Sequence, residues 1–258
     1  MEEHNRKIIA DEFENCIKRT IDRLENEETH RPFHRALLSD EAIFWSRFER
    51  SFSTSFGQGV IERISCNVAL AVADTTANTQ HRTTVNLSAN QLSAVEEHIN
   101  LIRYNNLGRL PHWDNDIQEI QKKAGAIAGE LMPHRVISDM WWQRDGVDHY
   151  MSIKTVKPNI DQTAEAKRDL LKLKINDPNC RVYFGLYYNP YGDNRTDYKW
   201  SPPMKVFDFH KDHVVLLGRE YWDTIGGPGC YQEILAIAKE VGIRTKELMI
   251  GLCNKETK

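Results

Sequence analysis

Between Val136 and Leu171 the chain reads VISDMWWQRDGVDHYMSIKTVKPNIDQTAEAKRDLL, and no other segment constrains the fold as much. Val136 to Trp142 is apolar and β-prone apart from Ser138 and Asp139. Asp145-Gly146 is a hairpin turn signal between this run and the next. Strand alternation puts Tyr150, Ser152, Lys154 and Val156 on one face, and Met151 and Ile153 on an apolar opposite face. Ser152 and Lys154 thus point the same way, and Asp139 comes alongside if the register allows. A polar, helix-forming stretch with Glu165 follows. Carboxylates in such a place can hold Mg²⁺, a hard cation that prefers oxygen. A lysine there can steady developing charge or an attacking water, as phosphodiester hydrolysis requires. Taken alone, an Asp and a Lys one hairpin apart are more often an ordinary half-exposed hairpin with a solvated lysine.

Asp139, the hairpin and Ser152-Ile153-Lys154 resemble the core of the PD-(D/E)xK nucleases. The run Lys154-Thr155-Val156-Lys157-Pro158-Asn159, with Asp161-Gln162, resembles more specifically the TdeIII/MjaII type of restriction endonuclease. So does the block from Gly218 to Gly227, GREYWDTIGG, with Tyr231. The resemblance implies a restriction-endonuclease-like α/β core of mixed sheet flanked by helices, with a helical N-terminal lobe. It further implies Mg²⁺ as cofactor, double-stranded DNA as substrate, a homodimer, and a GC-rich palindromic target of the GGNCC kind. A cognate DNA methyltransferase would share that target without having to bind this chain. In this scheme Asp139 binds metal and Lys154 positions water or stabilises charge. One departure is plain: Ser152 stands where Glu or Asp is usual, two residues before the lysine. Some restriction enzymes of the CCGG/CCNGG type also carry Ser-x-Lys and take their second carboxylate from the following helix. Glu165 is the best substitute by type, with Asp161 and Asp169 as competitors. Glu165 and Asp169 share a helix face, which could equally be solvated.

A chain of 258 residues can bury a sizeable core. Residues 1–130 read as mainly helical and packed on a core formed by 131–258. No apolar run approaches the ~20 residues needed to span a bilayer. The N-terminus, MEEHNRKIIADEF, lacks a secretory apolar region, so a cytoplasmic location is expected. The net charge of -3 counts mildly against DNA binding, which nevertheless depends on a local patch rather than the total. The five cysteines are odd in number and unpaired in sequence, which suggests reduced structural thiols. Histidines are scattered, and His30 and His34 read as surface or core residues rather than metal ligands.

Helices are expected over Ile8 to Asn26, Ala42 to Phe52 behind a Ser39-Asp40-Glu41 start, Phe56 to Ala73, Gln91 to Tyr104 and Ile117 to Ala126. Phe44, Trp45 and Phe48 form the apolar face of the second. Glu62 stands inside the apolar third helix. PD-(D/E)xK nucleases often place a glutamate there that binds metal directly or through water; the alternative is a surface acid paired with Arg63 or Arg50. Asp74 to Asn90 is polar and reads as a surface loop, a connector or, where the resemblance holds, a segment along DNA. Arg181 to Tyr188 and Val214 to Leu217 read as strands, and Tyr231 to Val241 and Thr245 to Leu252 as two closing helices. Residues 189 to 203 form a loop whose Arg195, Lys199 and Trp200 suit either phosphate and base contacts or plain packing. The glycines at 226, 227 and 229 follow no phosphate-loop pattern. A Mg²⁺-dependent type II endonuclease is therefore the first expectation, with a nuclease fold that binds DNA without cutting as the alternative.

Overall fold

The computed structural model describes residues 1–26, 30–125 and 130–256. Helices α1 (Glu3–Glu25), α2 (Pro32–Leu37) and α3 (Asp40–Ser55) lead through a π-helical turn (Phe56–Val60) into α4 (Ile61–Leu70). Strand β1 (Thr76–Leu87) is followed by α5 (Ala89–Arg103) and α6 (Trp113–Ala124). Then come β2 (Met132–Arg144), β3 (Val147–Lys154), α7 (Ile160–Asn176) and β4 (Arg181–Leu186). After a 3-10 turn (Arg195–Asp197) the chain ends with α8 (Ser201–Met204), β5 (Val215–Leu217), α9 (Arg219–Gly226) and α10 (Cys230–Glu256). The five strands form one sheet in the order β1-β2-β3-β4-β5. The first three run antiparallel, and β3, β4 and β5 run parallel. This is the expected α/β class, a mixed sheet flanked by helices. None of the described helices is long and apolar enough to cross a membrane.

Local chemistry explains the central units. Asp145 and Gly146 have φ of 53° and 73°, so both central residues of the β2–β3 turn are left-handed, as a two-residue hairpin demands. The parallel step from β3 to β4 needs a crossover, which α7 supplies. Its start is a capping box: Asn159 Oδ1 accepts from the Gln162 N–H at 2.8 Å, and Gln162 Oε1 accepts from the Asn159 N–H at 3.4 Å. Part of the KTVKPN-DQ run is thereby a helix start. Ser88 and Gln91 make the same box at the head of α5, as soon as β1 ends.

Both faces of the sheet are covered. Val85, Val136, Tyr150, Phe184 and Leu186 belong to a core shared with α5, α6 and α7. Met140, Trp142, Met151 and Ile153 belong to a second core shared with α1, α4, α9 and α10. A small third cluster, Leu24, Phe44, Phe48, Leu252 and Cys253, ties α1, α3 and α10 together.

Several expectations change. Asp74 to Asn90 is not a loop: β1 pairs along its length with β2, burying Ala77, Val85 and Leu87. Exposure alternates along this edge strand, but Thr79, His81 and Thr83 at its half-buried positions are as polar as the exposed residues between them, which hides the alternation in the sequence. The two closing helices are one, α10, which runs through Gly242; Thr245 Oγ1 donates to the Val241 carbonyl at 3.0 Å inside it. Trp45 is 42% exposed while Phe44 and Phe48 are buried. The long helix expected from Phe56 is interrupted at its start by the π turn, where Gly59 has φ 82°. Helix α6 begins at Trp113, whose N–H donates to the buried Asp212 carboxylate at 2.8 Å. Its expected end at Ala126 lies outside the described residues.

A buried ion pair joins α6 to α7. Asp116 and Lys167 are both fully buried, and Lys167 Nζ donates to Asp116 Oδ2 and, at 2.6 Å, to the Val206 carbonyl. Arg109 reaches Asp116 Oδ1 at 2.6 Å, and His98 Nε2 lies 3.2 Å from the same oxygen. Burial alone would push the Asp116 carboxyl up. His98, Lys167 and Arg109 outweigh it and hold the group at about 2. Asp116→Asn should cost about 3–5 kcal/mol in urea unfolding, because it leaves Lys167 buried without its counter-charge. Lys167→Met in the same chain should return part of that loss. Since the folded-state value is depressed, the pair's contribution is complete above the usual 3.8 and is lost as pH falls through about 2. Acid titration of the wild type against Asp116→Asn checks this.

Candidate active site

The sheet loses its regular pairing at Asp139. The β2–β3 ladder runs from Arg144↔Val147 to Met140↔Met151 and stops. The β1–β2 ladder steps from Thr79↔Met140 to His81↔Ser138, leaving Gln80 and Asp139 unpaired. Gln80 has φ 49°, a left-handed backbone that few residues other than glycine adopt. Register is kept on both sides of this break, but faces are exchanged across it. Ala77, Met140 and Trp142 belong to one core, while Val85 and Val136, of the same parity, belong to the other.

The Asp139 side chain takes over where the backbone ladder ends. Its Oδ2 accepts from the Ile153 N–H at 2.7 Å, from Lys154 Nζ at 3.0 Å and from Ser152 Oγ at 3.2 Å. Among the described residues no donor reaches its Oδ1. Asp139 and Lys154 are 22% and 24% exposed, so the pair is partly shielded yet reachable. Ser152, at the position of the missing acid, spends its hydroxyl on Asp139.

Glu62 on α4 completes this cluster. Gln80 Nε2 donates to Glu62 Oε2 at 2.8 Å, and among the described residues Oε1 receives no hydrogen bond. Burial raises the Glu62 pKa; the Gln80 bond opposes it, the Asp139 charge adds to it, and Lys154 and Arg63 oppose it. Arg63, one of the two partners (with Arg50) expected if Glu62 were a surface acid, gives its Nε to Glu12 at 2.9 Å.

The structure does not bring Glu165 into the cluster. It is exposed on α7 and has no hydrogen bond or ion pair to Asp139, Ser152 or Lys154. Asp161 is paired with Arg103 instead. Asp169, one turn beyond Glu165, is half-buried; burial raises its pKa, Lys172 lowers it, Glu165 adds to the rise, and Arg168 and Lys154 oppose it. Lys154 therefore acts on an acid from α4 and an acid from α7.

Tyr221 of α9, within the GREYWDTIGG run, lies beneath the site. Burial drives its pKa well up; its hydroxyl is bonded to Ser65 Oγ at 2.6 Å, and the Asp139 and Glu62 charges add to the rise. Gly185 of β4 makes room for it, since a Cβ there would meet the Tyr221 ring at 2.7 Å and Met151 Sδ at 2.8 Å. Trp222 Nε1 donates to the Tyr187 carbonyl at 2.9 Å, so the same run is also anchored to the end of β4.

Two other groups turn out to be structural. His98, Asp116 and Glu119 have ligand atoms within 4.8 Å of one another. Lys167 and Arg109 already engage both Asp116 oxygens, and Arg109 Nε also takes Glu119 Oε1, so cationic side chains fill the place an ion would need. In the loop after β4, Arg195 donates to the carbonyls of Phe209 and Asp212 at 3.0 Å and to Glu220 Oε1 at 3.1 Å. Trp200 Nε1 donates to the Pro158 carbonyl at 2.9 Å, with Lys157 Nζ 5.9 Å from its ring centre. Packing, one of the two expectations for this loop, accounts for both; Lys199 is exposed. The five cysteines are free thiols, four of them buried. The sequence offered no signal for Gln80, since its role depends on a break that only the pairing of β1 reveals.

Gly185→Ala should displace Tyr221 or Met151 and cost about 1–3 kcal/mol. Thermal unfolding measures the loss, and a Gly185→Ala chain as stable as the wild type would mean that Tyr221 can yield without strain.

Comparison with known proteins gives the family. HgiEI, a type II restriction enzyme of Herpetosiphon aurantiacus, is 32% identical over 221 residues, 83% of this chain and 77% of that protein. HgiCII, from the same organism, is 30% identical over 220 residues, 83% of this chain and 78% of the relative. HgiBI is 31% identical over 221 residues, covering 83% and 77%. The family described as "Type II restriction endonuclease, HinfI" matches residues 1–242. The TdeIII/MjaII resemblance of the motifs agrees with it at the broader level of type II restriction endonuclease. Nearly the whole chain is covered, and it belongs to the HinfI family of type II restriction endonucleases.

Proposed function

We propose that this chain is a Mg²⁺-dependent type II endonuclease that cuts double-stranded DNA within a short GC-rich palindrome of the GGNCC kind. One observation carries the reading. Asp139 and Glu62 each anchor one carboxylate oxygen and, among the described residues, leave the other without a donor, beside the Lys154 ammonium. Two carboxylates with open oxygens fit a hard divalent cation, which takes one or two protein carboxylates and keeps several waters. Asp139 and Glu62 would hold it, and it would supply a Lewis acid and a more acidic bound water. Lys154, fixed by Asp139, keeps N–H bonds free to stabilise charge developing on the scissile phosphate. Ser152 holds the Asp139 carboxylate in place. Glu165 is the alternative second ligand on sequence grounds, but the geometry favours Glu62.

The finer parts of the reading rest on resemblance. Asp139, the hairpin and Lys154 support a PD-(D/E)xK core, and the KTVKPN and GREYWDTIGG runs support a TdeIII/MjaII-like target. A palindromic target goes with a two-fold dimer. A methyltransferase would protect the same site without binding this chain.

Plasmid digestion with and without Mg²⁺ tests the function. Discrete fragments whose ends map to GGNCC-like sites are expected; a gel shift without cutting would make the chain a binding protein whose Ser152 marks lost catalysis. Asp139→Ala should abolish cleavage while DNA binding persists, and Lys154→Ala should slow single-turnover cleavage by about 10²–10³-fold. Normal cutting by the first, or a loss below tenfold in the second, would remove these residues from the chemistry.

Glu62→Gln and Glu165→Gln separate the two candidate ligands. Across a Mg²⁺ titration Glu62→Gln should be inactive and Glu165→Gln close to wild type. The reverse pattern would return the second ligand to α7.

A further inference from the structure

We propose that Gln80 is a positioning residue that holds the Glu62 carboxylate towards Asp139 and Lys154. The inference rests on the metal-site reading above and adds a residue to it. Gln80 occupies the one place in β1 where pairing with β2 lapses, directly across from Asp139 in the register. Its backbone is left-handed, at φ 49°. Gly would adopt this conformation without penalty, and Asn more readily than Gln. The side chain is exposed, so no packing demand selects a glutamine. Its carboxamide makes one hydrogen bond among the described residues, to Glu62 Oε2 at 2.8 Å. The same break therefore frees Asp139 from the ladder on β2 and turns a side chain of β1 onto the facing acid of α4. A carboxylate tethered at one oxygen keeps its other oxygen aimed, which is what neighbours of metal ligands generally do.

The test uses the full-length chain without DNA and Mn²⁺ alone as probe, with binding followed by calorimetry. Gln80→Met keeps the length of the side chain and removes the amide. Gln80→Gly removes the amide and relieves the backbone. Both should weaken Mn²⁺ binding by about 10–100-fold. Gln80→Gly should do so with a Tm equal to or above the wild type, which separates a role in aiming Glu62 from a role in folding. In Mg²⁺-dependent cleavage the half-saturating ion concentration should rise for both, with the rate at saturation recovering much more than in Glu62→Gln. If Asp139→Asn abolishes Mn²⁺ binding but both Gln80 variants bind within twofold of wild type, Gln80 does not position the ligand and the metal-site reading stands. If Asp139→Asn itself binds Mn²⁺ normally, the metal-site reading fails and takes the proposal with it. Should Gln80→Met not fold, Gln80→Gly alone decides.

Discussion

The bonds to a single carboxylate oxygen, Asp139 Oδ2, are what the centre of this structure depends on. Antiparallel strands are normally held by their own N–H and C=O groups. Here β2 stops pairing with β3 at Met140, and the next N–H of β3 that faces it, that of Ile153, is taken by a side chain. Lys154 and Ser152 converge on the same oxygen. Hydrogen bonds to an ionised acceptor are shorter and stronger than neutral ones, so one carboxylate can stand in for the lost ladder. The arrangement opens the sheet while the Ile153 N–H keeps an acceptor. It also fixes Lys154 and, among the described residues, leaves the other Asp139 oxygen without a donor. Fold and proposed site thus share one residue, at the irregularity in the sheet.

The surroundings keep that opening from collapsing. Met151 and Ile153 on β3 are held in one core, while Tyr150 on the same strand is held in the other. A strand gripped on both faces cannot slip by one residue without exchanging every side chain. Below it, Tyr221 fills the space that Gly185 leaves and ties α9 to α4 through Ser65. Glu62 sits one helical turn before Ser65 on that same α4. The position of the acid relative to β3 is therefore set by packed side chains, and Gln80 has only to orient its carboxylate.

What the sequence revealed follows the range of the interactions. The Asp145-Gly146 turn, the alternation of β3 and the Ser39 cap are decided within a few residues, and all were legible. The motif residues Asp139, Ser152 and Lys154 came together because a tight hairpin fixes which residues face each other. The missed features are long-range. Strand β1 looked like a loop because its half-buried Thr79, His81 and Thr83 are polar like its exposed residues, and only pairing with β2 gives its backbone a partner. Arg195 suited phosphate contact and packing equally, and its guanidinium serves carbonyls that follow it by fourteen or more positions. Asp212 starts a helix 99 residues before it. Lys167 of α7 is buried against Asp116, which lies 51 residues before it. No local pattern encodes any of these.

Charge balance gives the absence of an acid at 152 a physical reading. Asp139 and Glu62 are close enough that the Asp139 charge contributes to the raised pKa of Glu62. A third carboxylate at position 152, whose side chain reaches 3.2 Å from Asp139, would face a like charge at contact. Like charges at such a distance force one group to stay protonated unless a cation lies between them. Serine avoids that conflict and donates where an acid would repel. On the proposed reading, the carboxylate that would otherwise stand on β3 would be supplied across the gap by Glu62 of α4. Transferring an acid from strand to helix keeps two negative groups around one ammonium, and it places the second of them on an element whose packing, rather than its sequence neighbours, determines where it points.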